Sequence, residues 1–260
     1  MNASKQFSLV DQVAIVTGAC GGLGQELVKI LVDAEANVVL ADVDQSSLNA
    51  LALEINSNKV LAQLCDVTDK KAINNLIKKT HQKFGRIDSL VNCAGILGGD
   101  HFLFDVSEAE WDKVLDINLK GTWLMSTEVA RYMIKHKIKG KIINISSSLG
   151  KRAQLKRIAY ASSKAAVEHL TRNMAMELAE HDIRVNCLAP GWMETQMVRE
   201  FLEGPEGEKW RKTIPLRRAA KPQELTGPLL LLASDASSYM TGTILRVDGG
   251  YTYCGIELPE

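Results

Sequence analysis

Residues Val13 to Gly24 read Val-Ala-Ile-Val-Thr-Gly-Ala-Cys-Gly-Gly-Leu-Gly. The continuous apolar run at its start is the pattern of a strand buried on both faces. The run passes straight into Gly18, Gly21, Gly22 and Gly24, and then into Leu27, Ile30, Leu31 and Ala34, which with Leu23 recur at helical spacing. A strand that turns on glycines into a helix gathers free N–H groups and partial positive charge at one point, where a diphosphate can rest. Two spellings fit. Gly18, Gly22 and Gly24 give Thr-Gly-x-x-x-Gly-x-Gly; Gly18, Gly21 and Gly24 give Thr-Gly-x-x-Gly-x-x-Gly. The common Gly-x-Gly-x-x-Gly does not fit, because Leu27 stands three residues after Gly24.

The same alternation continues outward. Val38–Ala41, Val60–Leu64, Ile87–Val91, Lys141–Ile145, Ile183–Leu188 and Ile244–Val247 read as further strands. Between them, Leu48, Leu51 and Ile55 mark a helix, and Ile73, Leu76, Ile77 and Phe84 mark another with Thr68 as its expected N-cap. Trp111 to Ile138 reads as a long helix interrupted near Asn118–Gly121, Ala159–Ala179 as a second, and Pro222–Ala233 as a third with proline in its first turn. Buried strands alternating with helices predict an α/β fold: a doubly wound parallel sheet of about seven strands with helices on both faces. The break at Gly204–Gly207 is read as a mobile excursion within one domain spanning 1–260.

Composition narrows the function classes. Lys plus Arg is 31 and Asp plus Glu is 31, so the basic excess usual in nucleic-acid proteins is absent. With 46% hydrophobic residues the chain can bury a core, unlike a disordered one. The densest apolar run, Leu229–Ala233, is far short of the ~20 residues a bilayer requires, and Met1–Asp11 lacks a secretory pattern. Five scattered cysteines without Cys-x-x-Cys spacing point to plain thiols in a reduced, cytoplasmic compartment. The five histidines show no ligand spacing, so no metal site is expected.

Two further features carry chemistry. Asp42 ends the second strand, where an acid bonds the adenosine ribose hydroxyls and repels a 2′-phosphate; NAD rather than NADP follows from that charge. Tyr160 and Lys164 stand four apart at the start of a helix, so they face the same way. A nearby ammonium stabilises a phenolate, and a first-turn position adds the helix dipole, which makes such a tyrosine a plausible general acid/base.

The glycine loop, Asp66, Asn92-Cys93-Ala94-Gly95, Asn118, Ser146-Ser147-Ser148, Tyr160/Lys164, Pro190-Gly191 and Val247-Asp248-Gly249-Gly250 occur in one order. From about Val13 to Gly250 the chain closely resembles the short-chain dehydrogenase/reductase family. It is most similar to the shorter, single-domain branch that includes the 3-oxoacyl-carrier-protein reductases. The resemblance implies a Rossmann fold in which Gly18, Gly22, Leu23 and Gly24 line the diphosphate and Asp42 holds the ribose. It implies that Asp66 and Val67 contact adenine, and that Asn92, Ala94 and Gly95 line the cofactor cleft. Pro190, Gly191, Met193 and Thr195 would position the nicotinamide. Ser147, thirteen residues before Tyr160, would bond the substrate oxygen; Tyr160 would exchange the proton; Lys164 would bond the nicotinamide ribose; Asn118 would anchor a water relay. Cys93 departs from the family, which usually has a second asparagine there.

The substrate side is less legible. The segment 192–214, with Trp192, Met197, Phe201, Leu202 and Trp210, matches a substrate lid in the family. Leu149, Gln154 and Trp192 are candidate substrate contacts, with Leu97–Gly99 beside them. Lys151, Arg152, Lys156 and Arg157 form a basic cluster that reads either as a solvated loop or as an attractor for an acidic substrate. The expected activity is NAD-dependent hydride transfer between a nicotinamide and a small-molecule secondary alcohol or ketone. The alternatives are a non-catalytic NAD-binding regulator, or an isomerase or dehydratase recycling bound NAD. The resemblance further implies a homo-oligomer, usually a tetramer paired through the long helices.

Overall fold

The run Val13–Thr17 forms β1, with all five residues buried. It is followed by β2 (Asn37–Asp42), β3 (Val60–Leu64), β4 (Ser89–Asn92), β5 (Lys141–Ile145), β6 (Arg184–Pro190) and β7 (Ile244–Val247). These strands make one seven-stranded parallel sheet in the order β3-β2-β1-β4-β5-β6-β7. The computed structural model describes residues 3–195 and 204–253. Met197, Phe201 and Leu202 of the expected lid, and Cys254, lie outside the described residues.

The period-two geometry of a strand splits the core into two layers. Ala14 and Val16 face one way, onto a layer with Leu27, Val28 and Leu31 of α2 (Gly22–Asp33), Leu48 and Leu51 of α3 (Gln45–Ile55), and Leu229 and Leu232 of α9 (Thr226–Ala233). Val13 and Ile15 face the other way. There they meet Ile73 and Leu76 of α4 (Lys70–Phe84), Met125, Val129 and Met133 of α6 (Thr122–Lys135), and Met174 of α7 (Ile158–Leu178). Helices α1 (Ala3–Gln6), α5 (Glu108–Leu115) and α8 (Pro205–Arg211) complete the described set.

Four local expectations are corrected. Strand β4 starts two residues later than Ile87. Asp69, not Thr68, caps α4, its carboxylate accepting from the Lys71 N–H, while Thr68 bonds back to Asp66 through N–H and hydroxyl. A carboxylate is the stronger acceptor for a helix start. The Gly204–Gly207 break opens a helix: Gly204 is the N-cap of α8 and Pro205 follows, a position suited to its fixed φ. Pro222–Leu225 is a 3₁₀ turn that leads into α9. The interruption near Asn118 takes the form of a π-helical turn, Asp116–Gly121, joining α5 to α6. Such turns often stand at functional sites.

The chain winds one way from β1 to β3 and the other way from β4 to β7. The switch between β1 and β4 opens a crevice beyond their carboxyl ends, where doubly wound sheets bind ligands.

Candidate active site in the crevice above the sheet

The crevice is a cleft of ≈ 1830 Å³. Its first wall is backbone. Gly18 has φ +63°, and a Cβ there would stand 2.7 Å from Ala94 Cα; at Gly24 a Cβ would fall 2.0 Å from Gly18 O. The loop therefore closes on itself and on the β4 loop so tightly that side chains are excluded at both positions. Thr17 fixes the neighbouring loop, its hydroxyl oxygen accepting from the Cys93 and Ala94 N–H groups at 3.1 Å each. No described side chain caps α2, whose first turn faces the cleft with Gly21, Gly22, Leu23 and Gly24. A Cβ at Gly22 would meet the Thr195 side chain at 3.4 Å, so the glycine loop and the segment after β6 face each other across the mouth.

Asp42 lines the same wall. One carboxylate oxygen accepts from the Cys20 N–H at 2.9 Å, and the other from Val43 and Asp44 at 2.8 and 3.2 Å. Burial, then the charges of Asp42 and Asp44, push the Cys20 thiol up to about 12. Asp66, Val67, Ala94, Gly95, Pro190, Gly191, Met193 and Thr195 all line the cleft. Glycine backbone, an uncapped helix start and a terminal carboxylate fit a dinucleotide: the first two suit its phosphates and the third its ribose hydroxyls.

Asn92 does not line it. Its amide is buried behind the cleft, donating to Ser126 Oγ and Asn144 Oδ1 at 2.8 Å each. This corrects the expectation of a cleft-lining residue: pairing with polar partners on β5 and α6 draws the side chain into the protein. Asn118 is likewise withdrawn. Its Oδ1 accepts from the Ile96 N–H at 2.8 Å, and its Nδ2 donates to Ile96 O at 2.9 Å and to Ser163 Oγ at 3.0 Å. The π turn thus clamps the β4 loop to α7. A Cβ at Gly95 would stand 3.2 Å from Asn118 Oδ1 and 3.4 Å from Lys164 Nζ.

The second wall carries side chains. Ser147 caps a 3₁₀ turn, Ser148–Gly150, its oxygen accepting from the Leu149 N–H at 3.2 Å, and no described residue accepts its proton. All three serines line the cleft wall, Ser146 and Ser148 buried and Ser147 half-buried. Arg157 stands at the N-cap of α7, so Tyr160 falls in the first turn and Lys164 one turn further. Both line the cleft, with Lys164 Nζ 5.6 Å from the centre of the Tyr160 ring. Lys164 is buried and donates to Ile145 O at 2.9 Å. Cys93 is pushed up to about 11 by burial, against the opposing charge of Lys164, and Cys65 to about 12 by burial.

Trp192, Trp210 and Tyr251 form an aromatic wall of the cleft, with ring centres 4.3 Å apart for the first pair and 6.3 Å for the second. Leu149 and Gln154 line this cleft too. Of Leu97–Gly99, only Leu97 does. The basic cluster divides. Lys156 and Arg157 face the cleft, Arg157 donating to Gly99 O at 3.1 Å. Arg152 instead donates to Tyr251 O at 2.6 Å and covers the Tyr251 ring, and Lys151 covers the Tyr253 ring. Sequence reading missed Thr17, whose role rests on a hydroxyl turned toward the next strand, and the pairing of Trp210 with Trp192 across eighteen residues.

A family model described as Enoyl-(Acyl carrier protein) reductase matches residues 18–252. The 3-oxoacyl-(acyl-carrier-protein) reductase of Thermotoga maritima is 40% identical over 248 residues, covering 93% of this chain and 98% of that protein. An NAD-dependent glycerol dehydrogenase of Listeria innocua is 37% identical over 95% of this chain and 96% of its own length. Among solved structures, a gluconate 5-dehydrogenase from Burkholderia cenocepacia in complex with NADP and tartrate superposes with a TM-score of 0.90 at 33% identity, covering 96% of this chain and 99% of that one. These relatives are oxidoreductases by name, and the solved one shares the fold described above. The chain belongs to the short-chain dehydrogenase/reductase family and is similar to its 3-oxoacyl-carrier-protein reductases.

Proposed function

We propose that the protein is an NAD(H)-dependent alcohol dehydrogenase/ketone reductase acting on a secondary alcohol or ketone. One observation carries the reading: Ser147, Tyr160 and Lys164 line the same cleft as the glycine loop and Asp42. A bound nicotinamide supplies the hydride acceptor or donor; the chain must place the substrate and handle the proton. Ser147 donates its free proton to the substrate oxygen and Tyr160 makes the second hydrogen bond, so charge developing on that oxygen is met by two groups. Tyr160 exchanges the proton. The Lys164 ammonium offsets the charge on the phenolic oxygen during that exchange, and it would hold the nicotinamide ribose. Asn118 sets the Ile96 loop and α7 at the distance these roles need, and its own carbonyl, now accepting from Thr122 Oγ1 at 2.8 Å, marks where the proposed water relay would begin.

Among the relatives one is NAD-dependent and another binds NADP. The Asp42 carboxylate favours NAD here, because a 2′-phosphate placed against it would meet like charge. The reading includes one domain with segment 192–214 as a substrate lid, a homotetramer paired through α6 and α7, and a cytoplasmic setting. No described helix is long and apolar enough to cross a membrane.

The test is an NADH-production screen over alcohols, hydroxy acids, sugars and 3-hydroxyacyl thioesters, with NAD and NADP in parallel. Turnover with NAD on at least one secondary alcohol is expected. Preference for NADP overturns the cofactor assignment, and absence of net nicotinamide turnover with every class overturns the activity.

A further inference from the structure

Behind the serine loop stands an ion pair that touches neither the cleft nor the reacting groups. Glu168, one turn beyond Lys164 on α7, accepts two hydrogen bonds from Arg246 on β7, at 2.9 and 2.8 Å. Their side chains are only 6% and 12% exposed. Two charges so placed are costly to desolvate, and such a pair often adds little to stability. Its neighbours give it another use. The Ser146 hydroxyl lies 3.3 Å from Glu168 Oε1 and 3.1 Å from Lys164 O, sharing its proton between them. Lys164 Nζ in turn donates to Ile145 O. Two consecutive residues at the end of β5 are thus stitched to Lys164, one to its ammonium and one to its backbone, and the next residue is Ser147. The turn after Ser147 has no slack, since a Cβ at Gly150 would stand 2.6 Å from Glu168 Oε1 and 2.7 Å from Ser146 Oγ.

From this stitching we infer that Glu168 and Arg246 are positioning residues, whose pairing fixes the Ser146 hydroxyl and through it the spacing between Ser147 and Lys164. The inference rests on the roles assigned to Ser147, Tyr160 and Lys164 above. Small errors in such spacing are expensive in turnover, whereas an apolar pair of similar volume satisfies folding nearly as well.

The experiment measures kcat, KM for NAD and thermal midpoint for Ser146→Ala, Ser146→Thr and the double variant Glu168→Leu/Arg246→Met, with Tyr160→Phe as reference. Ser146→Ala and the double variant are each expected to lose about tenfold in kcat, with KM for NAD within about twofold and the midpoint near that of the parent. Combining them costs little more, because both cut the same link. Ser146→Thr, which keeps the hydroxyl, recovers most of kcat. Parent-level kcat in either Ser146→Ala or the folded double variant overturns the inference, as does a kcat loss in Ser146→Ala that Ser146→Thr leaves unrestored. Should the double variant not fold, the two Ser146 variants decide alone. A fully active Tyr160→Phe sinks the underlying reading; an inactive one beside fully active Ser146 variants sinks only the positioning role.

Discussion

The two ends of the cleft are built from different material. The end proposed for the dinucleotide is backbone: Gly18 against Ala94, Gly24 against Gly18, a helix start that no described side chain caps, and one carboxylate at a strand terminus. The end proposed for the substrate is side chain: Trp192 after β6, Trp210 on α8, Tyr251 beyond the end of β7, and Lys156, Arg157 and Gln154 from the loop before α7. A wall of backbone accepts a ligand whose shape is fixed, and it tolerates few residue types. A wall of side chains drawn from distant segments can be changed one residue at a time. The family's shared cofactor chemistry and its varied substrates follow from that contrast.

Variants at the junction of the two ends should have the largest effect. Lys164→Met removes the ammonium beside Tyr160 and its bond to Ile145 O, and we expect kcat/KM to fall by about 10²- to 10⁴-fold. Steady-state kinetics on the alcohol found by the screen measures it; a loss below about threefold would break the link between the two walls. At the dinucleotide end, Asp42→Ala is expected to move the ratio of NAD to NADP efficiency toward NADP by about 10- to 100-fold, since it removes the like charge. An unchanged ratio would show that the carboxylate does not read the ribose.

The same comparison explains what could be read without coordinates. Close-approach glycines, the Asp42 strand end and the four-residue spacing of Tyr160 and Lys164 are backbone or single-helix features, fixed by local sequence. Asn92 and Asn118 were recognisable as members of a pattern, yet their side chains turn inward: the Asn92 Nδ2 donates to partners on α6 and β5, and Asn118 is held by the β4 loop and α7. Lys151 and Arg152 belong to one run of positive charge with Lys156 and Arg157, but the rings of Tyr251 and Tyr253, a hundred residues on, take the first two away from the cleft. Glu168 and Arg246 carried no signal at all, since seventy-eight residues separate them in the chain. Long-range pairings of this kind decide the substrate end, and that end was the least legible.

Smaller effects sharpen the contrast. Trp210→Ala opens the aromatic wall and is expected to raise the substrate KM by about tenfold, with kcat and NAD affinity little changed. An equal effect on NAD affinity would show that the two ends are not independent. At the other end, with its thiol pushed up to about 12, Cys20 is nearly all protonated at pH 8. Removing the Asp42 charge lowers that value, so alkylation of Cys20 by iodoacetamide at pH 8 should be slow in the parent and about threefold faster in Asp42→Ala, followed by mass spectrometry.

The most direct test of the central claim is Tyr160→Phe, with turnover and NAD affinity measured on the same preparation. The account predicts that turnover falls by about 10³-fold while the NAD dissociation constant stays within about threefold, because only the proton-handling hydroxyl is lost. Retained turnover would contradict the assignment of Tyr160 as the group that exchanges the proton.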